Sequence, residues 1–160
     1  MYLNLRHIGI VVKNLDKNIK FFQKYFGFKV MNSQLEDGEI ISKLLNIKNL
    51  KVHTVKMIGK DGNRIELLKF IKPKETIKKK IIYDAGITHF AVSVKNIEKI
   101  HKKFIKNKIK CLSEPMLSKD KKAKLFFCKT PENVFLEIVE EKNKWITLNF
   151  GRSFLQDLDL

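Results

Sequence analysis

Two kinds of hydrophobic periodicity alternate along the chain, and the same order of elements occurs twice. Each copy begins with a short apolar strand and a Lys-Asn step, in which Asn14 or Asn96 is a typical N-cap for the following helix. Further strands complete each copy, so the pattern predicts two βαβββ modules. The predicted helices rest on apolar residues at helical spacing, which are Leu15, Ile19, Phe22 and Phe26 in the first copy and Ile97, Ile100, Phe104 and Ile105 in the second.

Turns divide the last part of each copy into paired strands. These turns are expected at 60–63 and 130–133, where Gly, Pro, Asn and Asp gather between apolar runs. The first copy also contains 38–49, which predicts a short additional helix, and 72–84 is expected to link the copies. The paired strands are predicted at 52–58 with 64–70 and at 125–129 with 134–140.

A constant offset of 82 positions relates the two copies, because His7 falls on His89 and Phe22 falls on Phe104 when they are overlaid. Most other positions of the first strands match in kind. An internal repeat of this type indicates two modules of one fold. The predicted organisation is one domain with a first module at 1–75, a second module at 84–141 and a tail at 142–160.

One histidine and one glutamate recur at matching places in both copies. His7 and His89 each begin a strand face of mostly small residues, opposite a bulky face. Glu66 and Glu137 each interrupt an apolar strand, where a buried carboxylate is costly unless it is paired or bound to a metal. Taken singly, each residue is as readily a core histidine or a glutamate facing water. The repetition favours a ligand set of two imidazoles and two carboxylates for a divalent ion such as Zn, Ni, Co, Mn or Fe.

The two remaining histidines do not share this pattern. His53 lies in a polar, alternating strand, and His101 falls on Ile19 in the overlay. Neither has a counterpart in the other copy, so neither joins the candidate ligand set.

These motifs, in this order, resemble the vicinal oxygen chelate superfamily, which includes glyoxalase I, methylmalonyl-CoA epimerase, extradiol dioxygenases and bleomycin- and fosfomycin-resistance proteins. The resemblance extends to about Glu141 and implies an α+β fold of two tandem βαβββ modules whose mixed sheets curl around a metal site. The strings that carry it are His7-Ile-Gly-Ile-Val-Val with Gly27 after the first helix, Ile65-Glu-Leu-Leu, Thr88-His-Phe-Ala-Val, and Thr130-Pro-Glu-Asn with Leu136-Glu-Ile-Val.

The resemblance also implies that the metal ligands come from the first and last strand of each module. Carried over position by position, these ligands are His7, Glu66, His89 and Glu137. The four-ligand set is similar to that of the isomerase and lyase branches, whereas extradiol dioxygenases use two histidines and one glutamate. We therefore expect a glyoxalase-type lyase or epimerase with one divalent metal ion.

The residues resemble no single branch of the superfamily closely, so they indicate the substrate less specifically than the metal site. Glyoxalase I binds glutathione partly through an arginine in the first strand and an asparagine beyond the second ligand, and the matching places here are Val11 and Phe70. Glutathione is therefore not favoured as the substrate. The epimerase branch uses an extra acid as a second base, for which Glu36 or Glu39 is the candidate here.

The chemistry implied by the resemblance is proton transfer next to a carbonyl by way of an enediolate. Glu137 is the first candidate for the base that removes and returns the proton, and Glu66 is the second. The alternatives are a metal-free small-molecule binding or resistance protein, an Fe(II) dioxygenase and a nucleic-acid binder.

The charge of the chain bears on the partner. The 160 residues include 33 basic and 17 acidic residues, which gives a net charge of +16. Only Arg6, Arg64 and Arg152 are arginines, and the planar arginine fork is the group that suits phosphate and base recognition. A small anionic substrate, such as a thioester, a thiol adduct or a sugar acid, is therefore favoured over nucleic acid.

Composition also limits the cellular context. No stretch approaches the roughly 20 apolar residues of a membrane span, and the start of the chain lacks the layout of a signal peptide. Cys111 and Cys128 are expected to be free thiols in a reducing cytoplasm. Members of the resembled family often dimerise, so a homodimer is expected.

Overall fold

The structure of the chain is a computed structural model that describes residues 5–76 and 81–142. Its contacts divide the chain into two units, one formed by Met1–Ile81 with Thr130–Val134 and the other by Ile82–Lys129 with Phe135–Leu160. The units differ from the predicted modules at 1–75 and 84–141 in that the turn Thr130–Val134 belongs to the first unit. The boundaries of the two predicted modules therefore stay a prediction. The predicted tail at 142–160 lies outside the described residues apart from its first residue.

The first unit contains one four-stranded mixed sheet and two helices. Its strands lie in the order β1-β4-β3-β2, with β1 parallel to β4 and the other neighbours antiparallel. The elements are β1 (Ile8–Val11), α1 (Leu15–Phe26), β2 (Lys29–Asp37), α2 (Glu39–Leu44), β3 (Lys51–Ile58) and β4 (Arg64–Lys72).

The second unit repeats this arrangement. Its strands lie in the order β5-β8-β7-β6, with β5 parallel to β8. The predicted α+β fold of two βαβββ modules is therefore confirmed, and the two sheets are open rather than closed. The elements are β5 (His89–Ser93), α3 (Ile97–Lys106), β6 (Met116–Leu117), β7 (Ala123–Lys129) and β8 (Phe135–Glu141).

Helix α1 begins and ends at the residues that its sequence indicates. The Asn14 side chain accepts a hydrogen bond from the Lys17 backbone N–H at 2.9 Å, and Gly27 ends the helix with φ of 69°. That left-handed conformation favours glycine. Asn96 caps α3 in the same way, because its side chain accepts from the Lys99 backbone N–H.

The buried helix faces differ in part from the predicted stripes. Asn18 is fully buried in α1, whereas Ile19 is half-buried, because the Asn18 side-chain amide donates hydrogen bonds to the Asn14 carbonyl and to the Glu132 carboxylate. In α3, His101 is buried and Ile105 is 55% exposed. The His101 ring packs edge-on against Phe126 at 5.0 Å between ring centroids, which gives the imidazole an apolar neighbour.

The additional helix predicted at 38–49 is shorter in the structure, where α2 spans Glu39–Leu44. Asn46 and Asn49 follow it with φ of 53° and 54°. Asparagine tolerates this left-handed conformation, which cannot continue a right-handed helix. The segment therefore ends in turns before β3.

Each sheet buries one face and leaves the other more open. In β1 and directly after it, Ile10 and Val12 are buried, while Val11 is 48% exposed and Gly9 is also exposed. Alternation along a strand produces this division, because successive side chains point to opposite faces. The buried apolar residues include Phe22, Val55, Met57, Ile65 and Leu67 in the first unit and Phe104, Phe126, Cys128, Leu136 and Ile138 in the second.

Both cysteines are free thiols, as expected. Burial raises the pKa of the Cys128 thiol to about 12, and the neighbouring Cys111 adds to this effect. Burial also raises the pKa of the Cys111 thiol. Within the described parts of the chain, no helix has the length and apolar character needed to cross a membrane.

Candidate functional site

The first candidate pair lies on the open face of the first sheet. His7 immediately precedes β1, and the parallel pairing of β1 with β4 places Gly9 directly across from Glu66. The His7 Nε2 atom lies 3.2 Å from Glu66 Oε2, and the two side chains are 32% and 14% exposed. Because Gly9 has no side chain, nothing on that strand position covers the Glu66 carboxylate. The predicted association of His7 with Glu66 is thus present in the structure.

Lys56 also contacts this pair. Strand β3 places Lys56 across from Glu66, and the Lys56 ammonium lies 3.6 Å from Glu66 Oε1. The Glu66 carboxylate therefore faces an imidazole with one oxygen and an ammonium with the other. Sequence reasoning missed Lys56, because its contact with Glu66 depends on the exact register of β3 on β4.

The second candidate pair occupies the corresponding place in the second unit. Ala91 pairs with Glu137 as Gly9 pairs with Glu66, and the His89 Nε2 atom lies 3.5 Å from Glu137 Oε2. The other ring nitrogen of His89, Nδ1, is 2.9 Å from Thr88 Oγ1. This contact orients the imidazole and leaves Nε2 directed toward the carboxylate.

An aromatic ring replaces the lysine in the second unit. Strand β7 places Phe127 across from Glu137, the position that Lys56 holds relative to Glu66. The Phe127 ring packs edge-on against the His89 ring, with centroids 5.2 Å apart. The two faces thus share the histidine–glutamate pair and differ in the residue beside it.

The other two histidines lie outside the two pairs and have different neighbours. His53 Nε2 contacts Ser33 Oγ at 2.9 Å, on the opposite face of β3 from Lys56. His101 is buried in α3 against Phe126.

The chemistry of the two pairs fits a divalent metal ion. Two ligands that each lie about 2.1 Å from an ion are separated by roughly 3.0–3.4 Å. The imidazole–carboxylate separations of 3.2 and 3.5 Å are close to that range. Among the described residues, no group of three or more His, Cys, Asp or Glu side chains is placed to hold an ion. The structure therefore shows the ligands as two pairs, and the set of four stays a prediction.

The remaining candidates of the sequence analysis have different surroundings. Glu36 accepts a hydrogen bond from Thr54 Oγ1 at 2.8 Å, on β2 and β3 of the first sheet. Glu39 forms an ion pair with Lys43 within α2. Val11 and Phe70 lie on strands β1 and β4, and both are apolar where a glutathione site has an arginine and an asparagine.

A separate cleft of about 720 Å³ lies beside α2. Its walls come from α2, the turns that follow it and the ends of β3 and β4, including Lys43, Lys48, Lys51 and Lys72. None of the four candidate metal ligands lines this cleft. We therefore locate the candidate chemistry on the sheet faces and not in the cleft.

Similar solved structures share this fold across most of their length. A glyoxalase family protein of Bacillus cereus has a TM-score of 0.80 at 22% identity, with 88% of this chain and 95% of that chain covered. The trypanothione-dependent glyoxalase I of Leishmania major has a TM-score of 0.63 at 19% identity, with 88% of each chain covered. A fosfomycin resistance protein of Listeria monocytogenes has a TM-score of 0.58 at 13% identity, with 88% and 94% covered. At these identities the likeness establishes the fold.

No curated protein sequence matches the chain. The family model described as the glyoxalase/bleomycin resistance protein/dioxygenase superfamily matches residues 4–138. This match spans both histidine–glutamate pairs and all but a few of the described residues. The chain therefore belongs to the glyoxalase/bleomycin resistance protein/dioxygenase superfamily.

Proposed function

We propose that this chain is a divalent-metal-dependent lyase or isomerase of the glyoxalase type, which transfers a proton next to a substrate carbonyl. One observation carries the proposal, namely the recurrence of an imidazole–carboxylate pair at the same register in both units. In each unit, the residue two positions after the histidine is the strand partner of the glutamate. The recurrence supports a shared role, because a partly buried carboxylate is costly unless it is paired or binds a cation, and both units keep the glutamate beside an imidazole.

The proposed ligands of the ion are His7, Glu66, His89 and Glu137. Zn, Ni, Co, Mn and Fe all suit a set of two imidazoles and two carboxylates. A divalent ion bound there would supply a Lewis acid that stabilises negative charge on the substrate oxygens. The Thr88 hydroxyl supports this role by orienting the His89 ring.

Glu137 is the proposed base that removes the proton and returns it to the neighbouring carbon. A base must move toward the substrate, and the two glutamates differ in how they are held. Glu66 contacts both His7 and Lys56, whereas the ion-pair contact found for Glu137 in the described residues is with His89. The fewer contacts of Glu137 favour it over Glu66 for this role.

The proposed substrate is a small anionic carbonyl compound, such as a thioester, a thiol adduct or a sugar acid. The net charge of +16 supports an anionic partner. We further propose that the protein acts as a homodimer in the cytoplasm, where free thiols such as Cys111 and Cys128 persist.

The metal content of protein purified without a histidine tag tests the proposal. Elemental analysis should find about one divalent ion per chain in the wild type and almost none in the His7→Ala/His89→Ala double variant. A His53→Ala/His101→Ala double variant is the matched control, because both of those imidazoles lie outside the pairs. The control should retain the metal.

Metal content together with assays of oxygen uptake and nucleic-acid binding separates the proposal from its alternatives. Bound Fe together with substrate-dependent oxygen uptake would instead indicate a dioxygenase. Absence of metal in the wild type, even after incubation with each candidate ion, would favour a metal-free binding or resistance protein. Tight and steeply salt-dependent binding of DNA or RNA would indicate a nucleic-acid binder.

A further inference from the structure

A row of four residues crosses the first sheet at the level of the candidate pair. Gly9 pairs with Glu66, Glu66 pairs with Lys56, and Lys56 pairs with Asn32 on β2. Residues directly across from one another on adjacent strands direct their side chains to the same face. Lys56 therefore shares the open face with the predicted metal ligand Glu66, and Asn32 lies beside it.

The contacts of Glu66 suggest a second role for Lys56. The Lys56 ammonium lies 3.6 Å from Glu66 Oε1, while Oε2 faces His7. The Lys56 side chain is 41% exposed and the Glu66 side chain only 14%. Once Glu66 directs its charge toward a divalent ion, the Lys56 ammonium loses the ion-pair partner that the described residues give it. An ammonium in that position favours an incoming anion.

The second unit shows that the lysine is not required by the pair itself. Phe127 occupies the position across from Glu137, and Lys129, two residues further along β7, places its ammonium over the Phe135 ring at 4.3 Å. A lysine that merely neutralised the glutamate would be expected beside both carboxylates. Both faces therefore carry a lysine, but only the Lys56 ammonium lies beside the glutamate of its unit in the described residues, whereas the Lys129 ammonium lies over an aromatic ring.

We propose that Lys56 binds a carboxylate of the substrate, so that the protein selects carbonyl compounds with a carboxylate close to the two oxygens that chelate the metal. Asn32 lies beside the ammonium on the same face, where its side-chain amide donates to Gln34 Oε1 at 3.5 Å. The inference rests on the proposed metal-dependent function and narrows its substrate class. Lys56 is here a binding residue that determines specificity, and it takes no part in the proton transfer.

Two hydroxamate probes test this role on the full chain loaded with metal. Acetohydroxamate carries only a chelating group, whereas succinomonohydroxamate carries the same group and a carboxylate. By calorimetric titration the wild type should bind succinomonohydroxamate about tenfold more tightly than acetohydroxamate, the typical effect of one charge-assisted hydrogen bond. In Lys56→Gln the preference should fall to within about twofold. Lys56→Arg, which keeps the positive charge, should retain a preference.

Lys69→Gln is the matched control, because Lys69 lies on β4 but on the opposite face from Glu66. Lys69→Gln removes one positive charge from the same β3–β4 hairpin. It should leave the preference for succinomonohydroxamate over acetohydroxamate intact. A loss of preference in Lys69→Gln as large as in Lys56→Gln would overturn the proposal in favour of a general electrostatic effect. Equal binding of the two probes by the metal-loaded wild type would also overturn it.

The experiment keeps this inference distinct from the function on which it rests. A metal-loaded wild type that binds acetohydroxamate supports the metal site, whatever Lys56 does. A wild type that takes up no metal would overturn the proposed function and the role of Lys56 together. Elemental analysis of each variant before titration separates the two results.

Discussion

Glu132 accepts a hydrogen bond from the buried side-chain amide of Asn18, with Glu132 Oε1 and Asn18 Nδ2 separated by 3.0 Å. The same oxygen accepts from the backbone N–H groups of Lys13 and Asn14 at 3.1 and 3.4 Å. Three donors at the start of α1 thus converge on one carboxylate more than 100 residues away in sequence. Negative charge at a helix N-terminus also complements the helix dipole.

Glu132→Ala should therefore destabilise the protein by about 1–3 kcal/mol, because it leaves the buried Asn18 amide and the helix start with fewer acceptors. Urea unfolding followed by circular dichroism measures the free energy of unfolding. Glu114→Ala is the control, since Glu114 is exposed, and it should change stability by less than about 0.5 kcal/mol. Equal effects of the two substitutions would show that the Glu132 contacts contribute little.

Glu137→Gln should preserve the fold and lower kcat by about 100-fold or more, because the amide cannot accept and return a proton. The rate of solvent deuterium incorporation next to the carbonyl of any substrate that the wild type turns over measures the step directly. Glu141→Gln, at the exposed end of the same strand, is the control and should keep the wild-type rate. A Glu137→Gln protein with full turnover would exclude Glu137 as the base.

The histidine–glutamate pairs could be predicted from the sequence because they repeat. The overlay at an offset of 82 positions aligns His7 with His89, and strand alternation places each histidine on the less bulky face. Neither step depends on exact strand register. The same reasoning separated His53 and His101 from the candidate site, and in the structure His53 contacts Ser33 while His101 packs against Phe126.

Contacts that depend on register or on distant segments could not be predicted in this way. Lys56 reaches Glu66 only through the exact pairing of β3 with β4, and a shift of one residue would move it to the other face. Asn18 is buried because a carboxylate from residue 132 meets it, which no local pattern reveals. Apolar spacing alone therefore favoured Ile19 for the buried face of α1.

Cys128 should react with iodoacetamide far more slowly in the folded protein than in urea. Burial, with a smaller contribution from Cys111, raises its pKa from the ordinary thiol value of 9.0 to about 12. Only the thiolate is nucleophilic, so at pH 8 the reactive fraction falls from about one tenth in the unfolded chain to about one part in ten thousand in the fold.

Mass spectrometry of peptides after timed alkylation measures this difference. The rate at Cys128 should rise about tenfold for each pH unit between 8 and 11, because each unit increases the thiolate fraction by that factor. Cys111 is less buried and serves as the internal comparison; it should be labelled first. Labelling of Cys128 that is as fast as that of Cys111 at pH 8 would contradict the raised pKa.

The four histidines should separate into two classes when stability and metal content are measured on the same variants. His101 is buried against Phe126, so His101→Ala leaves a cavity and should cost about 2–3 kcal/mol. Its metal content should equal that of the wild type. His7 is about one third exposed, so His7→Ala should cost less than about 1 kcal/mol in the presence of a chelator and yet lose most of the bound metal. A His101→Ala protein that loses metal while remaining as stable as the wild type would place His101 in the metal site and contradict the assignment of the pairs.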